Sequence, residues 1–319
     1  MPGSQNDIAA CPLCGSSGRF TYAGRDLLLD RSETYDYYQC AVCHAVFQHP
    51  TPDADTIASF YPETYSVYSQ ERQPKKRRHL ENAVLKSSYG YAHLRVPLLY
   101  RLVAPLASTL LYKDSIYYKP NGRALDVGCA NGRFMRSLES IGWSCEGVEF
   151  NSIAVEKCRA LGLTVHHGDL ESAALPAASF DLITVRHVIE HLPNPNAFIK
   201  ETGRLLRPHG WLLIMTPNSQ ALGRKWFREH WFANDVPRHL VLFSSSNLHT
   251  LASRSGLVPR ITRLNTTPKI ILNSIDYKTG STGRPSRKSK LRRLLAKLYV
   301  LTAKVTRKGD EIYVIYEKA

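Results

Sequence analysis

The chain has 319 residues, is 43% hydrophobic and carries a formal net charge of +15 from 42 basic and 27 acidic side chains. This length suits one sizeable α/β core with appendages, because single cores stop growing at ~250–300 residues. The longest apolar stretch, residues 98 to 112, is interrupted by Arg101 and Pro105 and falls short of the ~20 residues a membrane span needs. The start MPGSQNDIAA has no basic residues leading into an apolar run, so no secretory signal is expected and the compartment is read as reducing and cytoplasmic.

In chain order, the first signal is a pair of C-x-x-C motifs, Cys11 and Cys14 in CPLC and Cys40 and Cys43 in CAVC. Two such pairs predict a tetrahedral thiolate zinc site in a small ribbon over residues 1–50, each pair on a tight turn. Two disulfides are disfavoured by compartment, and a redox dithiol by the lack of a βαβ context. Residues 51–119 read as a linker and helical lid segment. Within it, Tyr61, Tyr65 and Tyr68 crowd one loop, and ERQPKKRRHL contributes five basic residues against one acid, or +4. That short run is a solvated linker or an anionic contact.

Residues 120–319 read as the core. ALDVGCANG at 124 to 132 carries an apolar strand into Asp126 and then a small-residue turn of Gly128, Cys129, Ala130, Asn131 and Gly132, which leads into the helix-like RFMRSLESIG. The glycines let backbone approach a ligand, and N–H groups at the helix start favour an anionic group. About twenty residues after the turn, Glu149 and Phe150 close the next strand, the spacing at which a doubly wound sheet sets an acid against ribose hydroxyls. A dinucleotide-binding turn would read G-x-G-x-x-G. The acid ahead of this one would repel a pyrophosphate and attract an ammonium.

Downstream, Asp169 and Leu170 follow a strand, and FDLITV is a central strand ending at Arg186. In RHVIEHLPNP, His187, Glu190 and His191 fall at i, i+3 and i+4, which on a helical turn is one face. An imidazole beside a carboxylate removes a proton near neutral pH, so His191 is expected as the base, Glu190 as its orienting group, and His187 as a further candidate. The loop at 216 to 244 carries Trp226, Trp231, Arg238 and His239. Two indoles with cationic neighbours suit stacking on a sugar or aromatic and pairing with a diphosphate; the alternative is a lid that only shields the site. Residues 268–309 read as a basic helical insertion before the last strand; from 268 to the end, thirteen basic residues face four acids, or +9. The apolar stripe of its helix at 291–305 is expected to dock on the core. The alternative is peripheral contact with an anionic membrane surface at the inner face.

These motifs, in this order, resemble the class I S-adenosylmethionine-dependent methyltransferases, well over residues 120 to 265 and plausibly over 310 to 319. The resemblance implies a Rossmann-like seven-stranded sheet and S-adenosylmethionine as cofactor, with Asp169 on the adenine amino group and Leu170 on its ring. The order of ribbon, tyrosine loop and core is similar to bacterial enzymes acting on nucleotide sugars and on glycan or secondary-metabolite precursors, in which such tyrosines close over cofactor and substrate. RHVIEH resembles the E-x-x-E-H stretch of ubiquinone-pathway and small-RNA 2′-O-methyltransferases, whose acids and histidines hold a divalent cation. His239 in VPRHLVLFS would complete that set, and His187 departs from it where an acid is the rule. The expected activity is methyl transfer to a hydroxyl of a small-molecule, sugar, glycan or lipid-linked acceptor. RNA methylation is one alternative, with nucleic acid disfavoured by the absence of a recognised module. A non-catalytic cofactor-binding scaffold is the other.

Overall fold

The computed structural model describes residues 9–62, 79–110, 116–280 and 290–319. Tyr65 and Tyr68, the basic run at 71–78 and the loop at 281–289 lie outside the described residues. Contacts group the chain into two units, Met1–Glu63 with Val185–Ala319, and Thr64–Thr184.

The N-terminal strands are β1 (Gly18–Arg25), β2 (Thr34–Cys40) and β3 (Val46–Gln48). They form an antiparallel ribbon whose fourth strand, β9 (Val241–Leu242), comes from the far end of the sequence and pairs Val46 with Leu242. Sequence spacing sets the ribbon apart as residues 1–50. Its sheet, however, is completed by the C-terminal half, and Tyr37, buried in β2, donates its hydroxyl to the His239 carbonyl at 3.0 Å. Two further bonds tie the first cysteine turn to the same half: the Asn196 amide donates to the Pro12 carbonyl, and Arg254 donates to the Leu13 carbonyl.

Seven strands make the larger sheet, in the order β10-β11-β8-β7-β4-β5-β6. The unit Thr64–Thr184 begins with two helices, α2 (His79–Ser88) and α3 (Leu98–Leu110), set after the six-residue α1 (Ala54–Ser59) of the other unit. It continues with β4 (Arg123–Val127), α4 (Arg133–Glu139), β5 (Ser144–Glu149), α5 (Ser152–Ala160) and β6 (Thr164–His167). Strands β4, β5 and β6 are parallel neighbours, as alternating strands and helices require. The next strand, β7 (Phe180–Arg186), is buried from Phe180 to Val185; a near-continuous apolar run is how a strand covered on both faces reads. α5 starts where the Asn151 side chain accepts from the Ala154 N–H, and it buries Ala154, Val155 and Cys158.

In the other unit, β7 is followed by the short 3-10 turn Ile189–His191, α6 (Pro195–Leu205) and β8 (Leu206–Pro217). Asn194 caps α6 by accepting from the Ala197 N–H, and Pro195 occupies the first turn, where a missing N–H costs nothing. Next come α7 (Leu222–Phe227), α8 (Ser245–Ser253) with a Ser244/Asn247 capping box, β10 (Leu257–Asn265), α9 (Pro268–Lys278), α10 (Lys290–Val305) and β11 (Glu311–Lys318). β11 lies antiparallel between β8 and β10. The basic insertion is therefore the helix pair α9–α10 inside the antiparallel hairpin of β10 and β11. α10 overturns the expectation that its leucines dock. Ala296, Tyr299 and Ala303 face Leu222 and Ile271, and the leucines point outward; the two alanines let the helix approach closely, and the Tyr299 hydroxyl finds Asp310.

Candidate active site

The end of β4 shapes a cradle. Gly128 (φ 68) and Gly132 (φ 67) both take the left-handed conformation that favours glycine. A Cβ on Gly132 would lie 2.3 Å from Leu163 Cδ1, so a side chain there would displace that leucine as well as strain the left-handed turn. Gly128 N–H donates to the Val148 carbonyl at 2.8 Å and Gly132 N–H to that of Cys129 at 2.9 Å. Asp126 is buried and accepts from the Thr184 hydroxyl at 2.6 Å. Glu149, also buried, accepts from the Ala130 N–H with one oxygen (2.8 Å) and from the Asn151 N–H with the other (2.9 Å), bridging the turn and the start of α5. Asn131 Oδ1 accepts from the N–H of Arg133, the first residue of α4, at 3.3 Å. Cys129 is buried against Gly147, where a Cβ would meet its Sγ at 2.7 Å. Asp169 is exposed after β6 and accepts from the Ser172 N–H at 2.7 Å, Leu170 is buried beside it, and Phe150 stands in solvent. This cluster brings together most of the expected cofactor residues; Arg186 ends β7.

The second cluster begins one residue past β7. His187 has φ 55 and donates its N–H to the Met215 carbonyl at 2.8 Å. Its ring is half exposed between two acids, with Nδ1 3.3 Å from Glu190 Oε1 and Nε2 3.1 Å from Glu311 Oε2. Partial removal from water opposes the charge, but the carboxylates of Glu190 and Glu311 outweigh it and push the imidazole up to about 10. Glu190 is fully buried. Burial alone would raise its pKa, yet His187, then His191 and His239, hold it down at about 2, and its second oxygen accepts from the Thr216 hydroxyl at 2.9 Å. The expected pairing is thus corrected: Glu190 bonds His187 and Thr216, and His191 is oriented by other groups. Held as a cation by two acids, His187 is no free base.

His191 Nδ1 lies 2.9 Å from the Arg238 carbonyl and 2.8 Å from the Tyr61 hydroxyl. A carbonyl only accepts, so Nδ1 carries the proton and Nε2 of the neutral ring keeps its lone pair. His239 is buried, and its Nδ1–H donates to the Ala233 carbonyl at 2.9 Å, leaving Nε2 3.9 Å from Glu190 Oε1. Burial, reinforced by His191, pushes His239 down to about 4 and keeps it neutral. One ligand atom each from Glu190, His191 and His239 lies within 4.8 Å of the others. His239 therefore belongs to this cluster as a buried, neutral ring beside Glu190 and His191.

Two further expectations on the tryptophan loop are corrected. Trp231 is buried and its indole N–H donates to Asp310 Oδ1 at 3.1 Å, alongside the Tyr299 and Thr266 hydroxyls. Arg238 is buried with both of its terminal nitrogens on Asp26, at 2.7 and 3.0 Å, and a further bond to Asp235. Neither side chain is available to a sugar or a diphosphate. Trp226 is half exposed and edge-on to Tyr299, and the Tyr61 hydroxyl reaches His191. Reading the sequence alone misses Glu311 and Thr216. The adjacent acids Asp310 and Glu311 at the opening of the last strand are the signal that was there to follow.

The four cysteines also converge. Their Sγ atoms lie within 4.8 Å of one another, Cys11 to Cys43 at 3.6 Å and Cys14 to Cys40 at 3.5 Å. A tetrahedron with metal–sulfur bonds of ~2.3 Å has edges of about 3.8 Å, so the residues fit a zinc ion.

A Rossmann-like sheet with an acid, a glycine turn and a helix start after one strand, and a second acid after the next, defines a cofactor-binding domain of the methyltransferase type. The chain belongs to the methyltransferase-domain family, whose profile matches residues 91–260. It is 29% identical over 116 residues to a ubiquinone biosynthesis O-methyltransferase of Paraburkholderia phymatum, covering 34% of this chain and 50% of that one. It is 30% identical over 101 residues to the Paraburkholderia xenovorans protein of the same name, covering 30% and 44%. The chain spans about half the length of the curated relatives it matches. Among solved structures, an S-adenosylmethionine-dependent methyltransferase from Archaeoglobus fulgidus is similar at TM-score 0.44 and 17% identity over 68% of this chain and 94% of that one. One from Mesorhizobium loti is similar at 0.44 and 16% over 68% and 97%.

Proposed function

We propose that the chain transfers a methyl group from S-adenosylmethionine to a hydroxyl of a small-molecule, sugar or lipid-linked acceptor. The observation that carries this reading is the cradle: buried Asp126 and Glu149 on consecutive parallel strands, with Glu149 clamping the turn between Gly128 and Gly132. Two acids there suit an ammonium and a ribose diol and oppose a pyrophosphate. Membership of the methyltransferase-domain family and the O-methyltransferase names of its relatives support the same direction.

The cofactor supplies, when bound, a methyl carbon already activated by sulfonium charge. The protein's task is then to orient the acceptor oxygen in line, exclude water and take one proton as the C–O bond forms and the C–S bond breaks. His191 Nε2 receives that proton; the Arg238 carbonyl at Nδ1, where the Tyr61 hydroxyl also lies, fixes its tautomer. Glu190, His191 and His239 also fit a divalent ion, and two imidazoles with one carboxylate favour a transition ion over magnesium. Such an ion, when bound, lowers the pKa of an acceptor hydroxyl. Zinc in the four-cysteine site has a structural role.

His191→Ala should lose ~10²–10⁴-fold in single-turnover methyl transfer while cofactor affinity by calorimetry stays at the wild-type value. The acceptor is found by incubating the enzyme and labelled cofactor with fractionated metabolites and lipids, then identifying the labelled product by mass spectrometry. Loss of activity to a chelator, rescue by manganese or nickel, and equal damage from His239→Ala would assign the metal-assisted route. Full turnover by His191→Ala would refute both routes.

A further inference from the structure

α10 presents its chemistry outward. Over Lys290–Val305 it carries five cationic side chains, Lys290, Arg292, Arg293, Lys297 and Lys304, and no acid. Leu291, Leu294, Leu295, Leu298, Leu301 and Val305 are each between 49 and 75% exposed. At ~100° per residue these six share an arc of about 120°, the buried Ala296, Tyr299 and Ala303 share a second arc, and Lys290, Arg293, Lys297 and Lys304 line the border between them on the far side. Arg292 falls within the buried arc and pairs with Asp276 of α9, which pins the helix to its neighbour. The small-residue face is thus spent on the protein, and the large aliphatic face points away from it.

We propose that α10 is an interfacial anchor that lays this leucine stripe into an anionic lipid surface. Six exposed aliphatic side chains in one stripe exceed what a lone surface helix leaves in water without a partner. The flanking row of exposed lysines selects the partner by charge: long side chains beside an inserted stripe reach back to headgroups. A second copy of this chain would instead bring another +5 helix against the first, with no acid on either to offset it. The inference goes beyond the proposed methyl transfer and does not depend on it, since binding is read without turnover.

The full chain should sediment with phosphatidylcholine vesicles containing phosphatidylglycerol, should not sediment with phosphatidylcholine alone, and should be released as salt rises. Lys290→Gln/Lys297→Gln/Lys304→Gln should weaken vesicle binding by about a hundredfold, roughly fivefold per charge. Leu294→Gln/Leu298→Gln/Leu301→Gln should abolish it with the thermal melt unchanged, because these positions are already in water. Wild-type binding by both variants, including the case in which Leu102→Gln/Leu106→Gln in α3 removes it instead, would overturn the assignment. So would a dimer seen by sedimentation velocity that the leucine substitutions dissolve while vesicles are ignored.

Discussion

A histidine wedged between two carboxylates makes stability depend on pH in a definite direction. The folded pKa of His187, about 10, lies above its ordinary 6.5. Its contribution is complete below about pH 6.5 and is lost as pH rises through 10. Glu190 is the counterpart. Its folded pKa of about 2 lies below 4.5, so its contribution is present above pH 4.5 and fades as pH falls towards 2. Unfolding free energy from urea melts should therefore decline between pH 7 and 10, and His187→Gln should flatten that decline; an unaltered slope would mean the ion pair contributes nothing. Arg238 gives a second test, because its role is structural. Arg238→Met leaves buried Asp26 with only the Leu28 and Leu29 N–H groups as donors and should destabilise by about 3–5 kcal/mol, with the Asp26→Leu/Arg238→Met double variant recovering much of it. A large effect on acceptor KM with an unchanged melt would return Arg238 to the substrate site.

At the scale of elements, the turn after β4 and the cysteine turns differ in what holds them. The turn after β4 is held by Glu149 through backbone donors on both sides. Glu149→Ala and Asp126→Ala should each weaken S-adenosylmethionine binding by ~1–3 kcal/mol, the scale of a charged hydrogen bond, as titration calorimetry would read; equal affinity for NAD would sink the cofactor assignment. The cysteine turns are short and have little core of their own. Purified protein should carry one zinc equivalent by elemental analysis, and Cys11→Ser/Cys40→Ser should lose both the metal and the cooperative melting of the ribbon. Metal-free protein from a chelator-free, reducing preparation, with the double variant equally stable, would exclude the site.

For the whole molecule, what was legible in the sequence is what local chemistry dictates. Asp126, the glycines and Glu149 stand at strand ends, where backbone geometry restricts the residue type, and the C-x-x-C pairs carry their own spacing. Orientation is another matter. Trp231 and Arg238 have polar tips that suit a ligand as well as they suit Asp310 and Asp26, and those buried acids lie about 80 and 200 residues away in sequence. Glu311 and Thr216 reach the histidine cluster from β11 and β8, long-range contacts of which the sequence shows only the adjacent acids Asp310 and Glu311. The leucines of α10 have helical periodicity whichever way they face, and only the buried Ala296, Tyr299 and Ala303 decide that they face outward.

The strand that completes the ribbon has a consequence for biosynthesis. β9 closes the edge of β3, and Tyr37 reaches the His239 carbonyl 202 positions further along the chain. A ribosome adding ~5–20 residues per second delivers that partner roughly 10–40 s after the ribbon's own strands. For that interval the nascent N-terminus has an unpaired edge, open to strand addition by any neighbour, and four thiols already synthesised. Early capture of zinc would hold the cysteine turns in register through the wait, and the supply of the metal during translation would then govern how much chain arrives at a closable sheet.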